Sequence, residues 1–308
     1  VEAPTYTATR TAIMTAIAMV AFAANSLLCR LALAPELIDA ASFTTVRVAS
    51  GALTLCLIVL IRRKPRSRKP RCRKPRNRTG LNWRSTSMLF TYMALFSFAY
   101  LSLSAGTGAL ILFGAVQPTM FIVALREGEH FPFISWIGFV LAFAGLIYLV
   151  FPGVTAPDPL GAALMAVAGI AWGTYSLLGR GVSHPLEATA ENFVYSVPLV
   201  LIVSLIFLPT FSVSTEGLAL AVASGAITSG CGYVIWYAAL PGLTATRAAT
   251  VQLSVPVIAA FGGVLLISEE ITLRLLLASA ATLGGLAIVM AQGRTKSSPP
   301  SEKSANQD

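Results

Sequence analysis

The chain contains repeated runs of apolar residues, each of about twenty residues, that hold almost no charged side chains. Clear examples lie at 107–125, 189–208, 218–240 and 273–291. A helix of about 20 residues spans the hydrocarbon core of a bilayer. Because lipid offers no hydrogen-bond partner to a bare backbone, each run must be helical. The apolar share of 56% is too large for a soluble core to hide, so the sequence predicts an all-α membrane protein.

The number of apolar runs predicts ten transmembrane helices. We place them at 12–33, 40–61, 86–104, 107–125, 133–151, 160–178, 189–208, 218–240, 245–267 and 273–291. The first run follows Arg10 as a signal peptide would, but no small-residue cleavage site separates it from the second run. We therefore interpret the first run as a retained helix. Glycines within several runs favour a tightly packed bundle.

A basic loop at 62–84 predicts the orientation of the chain. The loop repeats Lys-Pro-Arg every five residues and carries twelve of the 22 basic residues with no acidic one. Such a loop stays in the cytoplasm, and with ten spans both termini then lie there as well. We expect the membrane to be a bacterial inner membrane. The prolines of the loop forbid a regular helix, and the loop lacks the interleaved aromatic residues of a nucleic-acid-binding segment. We expect it to contact anionic lipids.

Two segments in opposite halves of the chain are similar. AFAANSLLCR at 21–30 aligns with AWGTYSLLGR at 171–180, which places Arg30 on Arg180. A second alignment places the Pro118 segment on the Pro256 segment, each a proline within a span that ends in acidic residues. Equivalent spans are five apart, an odd number, so the second half must be inverted relative to the first.

These repeats predict three units. The first five-helix repeat covers 1–152, the inverted repeat covers 153–293, and a disordered cytoplasmic tail covers 294–308. Weak internal similarity combined with inversion is typical of membrane carriers.

The chain resembles the EamA-like transporters of the drug/metabolite transporter superfamily over nearly its whole length. The resemblance lies in VQPTMFIVALREGEHF at 116–131, in LSVPVIAAFGGVLLISEEIT at 253–272, and in the aromatic-containing first helix of each half. It implies ten helices, alternating access and often export of amino acids or related metabolites, as in exporters of the YddG type. The basic loop and the shorter interval between Pro118 and Glu129 depart from the family pattern.

Arg47 is the clearest candidate for solute binding. It lies within the second predicted span, which holds no acidic residue. A polar side chain in a membrane helix usually faces the bundle interior, where Arg47 could receive a carboxylate. The alternative is that its long side chain extends to the interface.

Other polar and aromatic residues inside the spans are further candidates for substrate binding, with packing between helices as the alternative. Asn25 and Phe22 on the first span correspond to Tyr175 and Trp172 on the sixth, and equivalent positions of inverted halves converge at the midplane. The remaining candidates are the two span glutamines and two aromatic clusters: Gln117, Gln252, Tyr92, Phe96, Tyr100, Tyr233, Trp236 and Tyr237.

Prolines and acidic residues mark candidate moving parts. Pro118 and Pro256 each free a backbone carbonyl within a span. This favours a hinge or kink at these positions over a proline that the helix merely tolerates. Glu129, Glu269 and Glu270 lie at helix ends, where an acid is either a solvated or capping charge or part of a gating ion pair. No Asp, Glu or His falls well inside a predicted span, which predicts a facilitator without a protonatable switch.

The sequence gives little support to catalysis or cofactor binding. It lacks the usual hydrolase, metalloprotease and nucleotide-binding motifs, and its four cysteines and two histidines have no metal-ligand spacing. We predict no enzyme activity, no metal and no cofactor. The predicted function is transport of small neutral or zwitterionic metabolites by a monomer or homodimer. The alternatives are an intramembrane enzyme and a non-transporting membrane scaffold or sensor.

Overall fold

The computed structural model describes residues 8–62, 82–126, 132–151, 153, 156–179, 182, 184–239, 243 and 251–292. This part of the chain is helical and contains no strand beyond an isolated antiparallel bridge between Ile38 and Val213. The described helices overlap all ten predicted spans. They are α1 (Ala8–Leu33), α2 (Ala40–Arg62), α3 (Trp83–Ala99), α4 (Ala105–Arg126), α5 (Phe133–Val150), α6 (Pro159–Leu178), α7 (Pro185–Ile206), α8 (Thr215–Ala239), α9 (Ser254–Ile267) and α10 (Leu273–Gln292).

Six of these helices are long and apolar enough to cross a membrane: α1, α2, α4, α6, α7 and α8. Apolar stretches of α5, α9 and α10 are shorter, at 10–17 residues. The third predicted span extends too far, because α3 ends at Ala99 and a turn follows before α4 begins. The ninth is interrupted, since Val251 and Gln252 are helical, Leu253 forms a turn, and α9 begins at Ser254.

Short polar caps explain several of the helix boundaries. The Asp158 carboxylate accepts a hydrogen bond from the Gly161 amide at 2.6 Å, and Ser214 accepts one from Gly217 at 3.0 Å. Each bond satisfies one of the amides that a helix start leaves unpaired. Pro185 at the first position of α7 has no amide to satisfy, so the helix begins four residues before the predicted span.

Helices of the first half pack mainly against helices of the second half. α1 lies against α8 and α9, α2 against α7 and α8, α3 against α6, and α4 against α6 and α9. α5 and α10 pack chiefly along each other. This interleaving surrounds a central region between α1, α3, α4, α6 and α8.

The outer surface of the bundle is strongly apolar. Large side chains such as Ile61, Phe133, Leu205 and Leu273 are more than two-thirds exposed. Water-soluble monomers rarely expose contiguous apolar surface of more than a few hundred Å². The exposed faces of these helices therefore suit contact with lipid acyl chains.

α8 changes its helical type near its middle. It is α-helical at Thr215–Ala223, has the wider π-helical turn at Ser224–Cys231, and returns to α-helix at Gly232–Ala239. A π segment inserts extra residues without ending the helix and is frequent at functional sites. Here it lies against α1 and α2 at the level of the central region.

Candidate functional site

A small cavity lies in the middle of the bundle, and we call it the central cavity. Its free volume is about 20 Å³, room for about one water molecule. Its walls combine aromatic rings with hydroxyl and amide groups: Phe22, Asn25, Ser26, Tyr92, Phe96, Leu112, Phe113, Trp172, Thr228, Ser229 and Tyr233. The conformation described here therefore holds no open passage at this level.

The polar side of the central cavity is organised by Asn25. Its Oδ1 accepts hydrogen bonds from the hydroxyls of Ser224 at 2.7 Å and Thr228 at 3.2 Å. Both donors lie on the π segment of α8. Gly225 between them packs so closely on α2 that a Cβ there would overlap the Arg47 carbonyl oxygen and Ser50. The π segment of α8 thus contacts both α1 and α2 beside the cavity.

Aromatic rings form the remaining wall. Trp172 stacks on Tyr233 with ring centroids 5.5 Å apart and contacts Tyr92 at 4.9 Å. Phe22 contacts Tyr233 and Trp236, each with centroids 6.0 Å apart. These rings come from α1, α3, α6 and α8, so both halves of the chain contribute to one aromatic cluster. Such a cluster can hold an apolar group or, over its ring faces, a cation.

Arg47 is completely buried behind this wall, with 0% exposure. Its Nη2 donates to the Tyr92 hydroxyl at 3.3 Å, and its guanidinium carbon lies 4.7 Å from the Phe96 ring centroid. Its Nε and Nη1 have no hydrogen-bond partner among the described residues. The side chain does not reach the bundle surface, contrary to the alternative of an interfacial arginine.

The partners of Arg47 compensate its burial only in part. Each cation–π contact stabilises by about 0.5–2 kcal/mol, whereas removing a charge from water costs several kcal/mol even after relaxation. Two ring contacts and one 3.3 Å hydrogen bond are therefore weak compensation. A buried guanidinium with two unused donors is electrostatically suited to an anion.

One end of the bundle is closed by an ion pair, and we call it the Arg30 end. Arg30, near the end of α1, donates from Nε to Glu269 Oε1 at 3.1 Å. Its Nη1 donates to the carbonyls of Tyr100 at 3.0 Å and Leu101 at 3.2 Å. Both charged side chains are mostly buried, with 20% and 13% exposure.

Glu269 also caps the start of α4. Its Oε2 accepts from the Ala105 amide at 2.9 Å, so the carboxylate lies at the positive end of that helix dipole. Ser268 directs it there by adopting the left-handed backbone conformation, with φ of 56°, at the end of α9. One carboxylate thereby links α1, α4 and α9 across the central axis.

The opposite end, which we call the Trp83 end, contains an open vestibule of about 480 Å³. It is bordered by the starts of α3 and α7, the end of α6 and the later part of α8. At its floor, Thr189 contacts the hydroxyls of Tyr175 at 3.4 Å and Tyr237 at 3.3 Å. Asn192 donates to Tyr175 at 3.5 Å and accepts from Thr86 at 3.2 Å. These neutral bonds are long and correspondingly weak.

The structure brings many of the predicted site residues together but divides them among layers. Those lining the central cavity are Asn25, Tyr92, Phe96, Trp172 and Tyr233. Trp236 packs on Phe22 behind this wall, and Tyr175 and Tyr237 line the vestibule. Tyr100 contacts Phe96 at 4.8 Å and bonds the Ala105 carbonyl toward the Arg30 end.

The other predicted residues lie apart from both cavities. Gln117 is buried on α4, and Gln252 is partly exposed before α9, but neither borders a cavity described here. Pro118 lies inside α4, and Pro256 lies in the first turn of α9. Glu270 is exposed beside Glu269. Glu129, most of the 62–84 loop and the 294–308 tail lie outside the described residues.

Several polar residues of the site were not predicted from the sequence. Ser224 and Thr228 bond Asn25, while Thr86, Thr189 and Asn192 form the vestibule floor. Asn192 had a usable signal, since it is an amide inside an apolar run. The serine and threonines did not, because hydroxyls in membrane helices commonly bond their own helix, as Thr189 also does to the Pro185 carbonyl.

The part of the chain that the structure describes has no group of three His, Cys, Asp or Glu residues that could hold a metal ion. What the helices do form is a polar and aromatic cavity at the centre of a lipid-facing bundle, closed at one end and approached from the other. Long apolar helices with exposed apolar faces define a multi-pass membrane protein. The sequence profile of the EamA-like transporter family matches residues 9–151 and 159–291, and the chain belongs to that family.

Three relatives illustrate how widely the sequence pattern occurs. An uncharacterised protein of Pseudomonas aeruginosa is 48% identical over 282 residues, which cover 92% of this chain and 95% of the relative. An uncharacterised transporter of Archaeoglobus fulgidus is 26% identical over 61% of this chain and 68% of its own length. The uncharacterised transporter YoaV of Bacillus subtilis is 22% identical over 76% and 82% respectively.

A crystal structure of a protein with 16% sequence identity matches the fold with a TM-score of 0.64. The match covers 94% of this chain and all of the other. At this identity the likeness concerns the fold alone.

Proposed function

We propose that the protein exports or facilitates the passage of small neutral or zwitterionic metabolites, such as amino acids, by alternating access. The supporting observation is that the contacts on the two sides of the central cavity differ. Charge-assisted bonds close the Arg30 end, while the rings of Trp172 and Tyr175, 5.8 Å apart, lie between the cavity and the vestibule. A carrier that has released its solute at one side would have this asymmetry.

The proposed membrane arrangement follows the sequence repeats and the distribution of basic residues. Ten spans in two inverted halves, 1–152 and 153–293, would place both termini and the vestibule on the cytoplasmic side of a bacterial inner membrane. The Arg30 end would then face the periplasm, and the 62–84 loop would lie against anionic lipids. The carrier would work as a monomer or homodimer.

The proposed solute class follows from the charges near the cavity. A sugar phosphate or another multiply charged anion needs several desolvated cations to offset its burial. Among the described residues, Arg47 supplies one guanidinium beside the cavity wall, and Arg30 is already paired with Glu269. A neutral or zwitterionic solute with an apolar part suits the aromatic wall better.

The proposed energetics are those of a facilitator. Glu269 is held by Arg30 and by the α4 amide at one end of the bundle, away from the membrane midplane. Proton-driven carriers commonly use a carboxylate or histidine that titrates at membrane depth. We therefore propose that net flux follows the solute's own gradient. Uphill accumulation driven by a pH gradient at clamped potential, and abolished by Glu269→Gln, would contradict this.

The test of transport is counterflow in proteoliposomes that contain the purified full chain. Vesicles preloaded with one of the amino acids, polyamines, nucleosides or sugar phosphates would be assayed for uptake of the same labelled solute. We expect saturable counterflow of at least one amino acid and none of sugar phosphates. Robust sugar-phosphate exchange would overturn the solute class. Absence of counterflow for every solute would favour the alternatives, an intramembrane enzyme or a membrane scaffold or sensor.

A further inference from the structure

We propose that Arg47 is the receptor for a carboxylate group that every transported solute must carry. This inference rests on the proposed transport function and narrows it, because neutral or zwitterionic metabolites without a carboxylate would be excluded. The observation behind it is a fully buried guanidinium whose Nε and Nη1 lack hydrogen-bond partners within the described residues.

Each of the two unpartnered donors, Nε and Nη1, can form a bidentate pair with a carboxylate together with a hydrogen of Nη2. A guanidinium presents parallel N–H groups that pair with the two oxygens of a carboxylate in a fork-to-fork arrangement. Tyr92 uses one of the two hydrogens of Nη2 and fixes the side chain. The other Nη2 hydrogen is parallel to an N–H of either Nε or Nη1, so one fork stays available to a carboxylate.

The position of Arg47 connects it to the central cavity. Tyr92 and Phe96 contact the guanidinium and also line that cavity. The rings of Tyr92 and Phe96 thus separate the guanidinium from the cavity, and the proposal requires at least one of them to move aside. Since the cavity now has room for about one water, solute entry requires such a rearrangement in any case.

The cavity also explains where the rest of the solute would lie. A carboxylate at Arg47 directs the remainder of the molecule toward the rings of Phe22, Trp172 and Tyr233. Their faces can hold an apolar side chain, and they attract an ammonium group through cation–π contact. Monocarboxylates with a compact apolar or zwitterionic body are thus the solute class that the site would accept.

The decisive comparison is between a carboxylic acid and its amide, which have nearly the same shape but differ in charge at one group. Each L-amino acid and its primary amide would be tested for counterflow in proteoliposomes of the full chain. A second readout is the rise in unfolding temperature that each compound gives to the purified protein, since a ligand that binds the folded state raises stability. This readout requires no transport.

We expect the wild-type protein to prefer the acid over its amide by about tenfold or more in both assays, as loss of a charge-assisted bidentate pair implies. Arg47→Gln should remove the preference, while Arg47→Lys, which keeps the charge but not the fork, should retain part of it. The matched control is Arg274→Gln on α10, whose guanidinium bonds the Phe151 carbonyl away from the cavity. It should retain the full preference.

Each result bears on a different claim. Equal binding of acid and amide by the wild type overturns the inference without any variant, so a poorly folding Arg47→Gln cannot hide the answer. Stabilisation by chloride but by no amino acid would also overturn it, since a simple inorganic anion would then occupy the arginine. Stabilisation by acids without counterflow would support carboxylate binding and overturn the transport function. A preference that survives Arg47→Gln assigns recognition to other residues.

Discussion

Contacts of different kinds hold the helices together at the two ends of the bundle. At the Arg30 end, Arg30 and Glu269 exchange a 3.1 Å charge-assisted bond, and Glu269 accepts a 2.9 Å bond from the α4 backbone. At the Trp83 end, the vestibule floor is held by neutral contacts of 3.2–3.5 Å among hydroxyl and amide groups. Charged hydrogen bonds are roughly twice as strong as neutral ones.

Under the alternating access proposed above, this difference would favour one orientation of the protein without preventing the other. The Arg30 end gathers a few short bonds around one carboxylate, so breaking that carboxylate's contacts releases three helices together. The Trp83 end distributes weaker contacts over four helices. We therefore expect single substitutions to have large effects at the Arg30 end and small ones at the Trp83 end.

The largest effect should come from the close contact between α2 and α8 beside the central cavity, which lies between the two ends. A Cβ in Gly225→Ala would overlap the Arg47 carbonyl oxygen and Ser50, so this contact must open. We expect a loss of about 3 kcal/mol, the upper range for overpacked cores, measured as a lower unfolding temperature and yield in detergent.

Gly284→Ala on α10 is the matched control, because a Cβ there meets no atom within 4 Å. It should preserve or slightly raise stability, since alanine is favoured over glycine in helices by about 1 kcal/mol. Equal stability of the two variants would show that the α2–α8 contact is not tight.

Glu269→Gln should open the Arg30 end by about 2 kcal/mol, the scale of a hydrogen bond to a charged group. The probe is Cys29, which is fully buried one residue before Arg30. In a chain with Cys29 as its single cysteine, we expect alkylation by a membrane-impermeant maleimide to accelerate roughly thirtyfold.

Glu270→Gln supplies the control, since Glu270 is exposed and adjacent. Its alkylation rate should match that of the parent chain. If both variants accelerate the alkylation of Cys29 to a similar extent, the Arg30 end is held closed by the total negative charge of this loop. Glu269 would then have no specific role.

Thr189→Val should weaken the vestibule floor by about 1 kcal/mol, which is the net value of a neutral hydrogen bond. We expect this to change the counterflow rate by about fivefold. Thr174→Val is the matched control. Thr174 lies on the neighbouring helix α6, and among the described contacts its hydroxyl bonds only a carbonyl of its own helix. We expect no rate change there. A larger effect of Thr189→Val than of Glu269→Gln would reverse the comparison between the ends.

The smallest predicted effect comes from the sequence repeat alone, which aligns Arg30 with Arg180 and places Glu129 beside the acidic pair Glu269-Glu270. Glu129 and Arg180 lie outside the described residues, so this is a functional prediction. A double-mutant cycle of Glu129→Gln and Arg180→Gln should show coupling in counterflow of about 0.5 kcal/mol, typical of an exposed charge pair. If the effects of the two substitutions are strictly additive, the two residues do not interact. The proposed symmetry would then apply to the helices but not to this charge pair.

Helix positions could be predicted well because length and apolar character dominate in lipid. The errors occurred where local chemistry overrides hydropathy: Pro185 starts α7 early, and the turn at Tyr100 ends α3 while the sequence remains apolar. The π segment of α8 has no hydropathy signal, since it replaces one helical form by another.

The sequence identified many of the residues that surround the central cavity but not their pairings, and their role in binding a solute stays a prediction. Asn25, Arg47 and the aromatic residues were identified from polar or aromatic character inside a span, and the structure places most of them around one centre. The partnership of Arg30 with Glu269 spans 239 positions of the chain. Such a contact depends on how distant helices pack, which the residue pattern of either segment does not contain.

The size of the central cavity has a consequence for the membrane's energy supply. Protons cross membranes readily along continuous files of water, and a space that holds about one water molecule cannot support such a file. Within the described residues, this conformation therefore offers no such file through the central cavity. If the protein transports as proposed, many copies could reside in a membrane without dissipating the proton-motive force, and leakage would be confined to the brief intervals in which the aromatic wall rearranges.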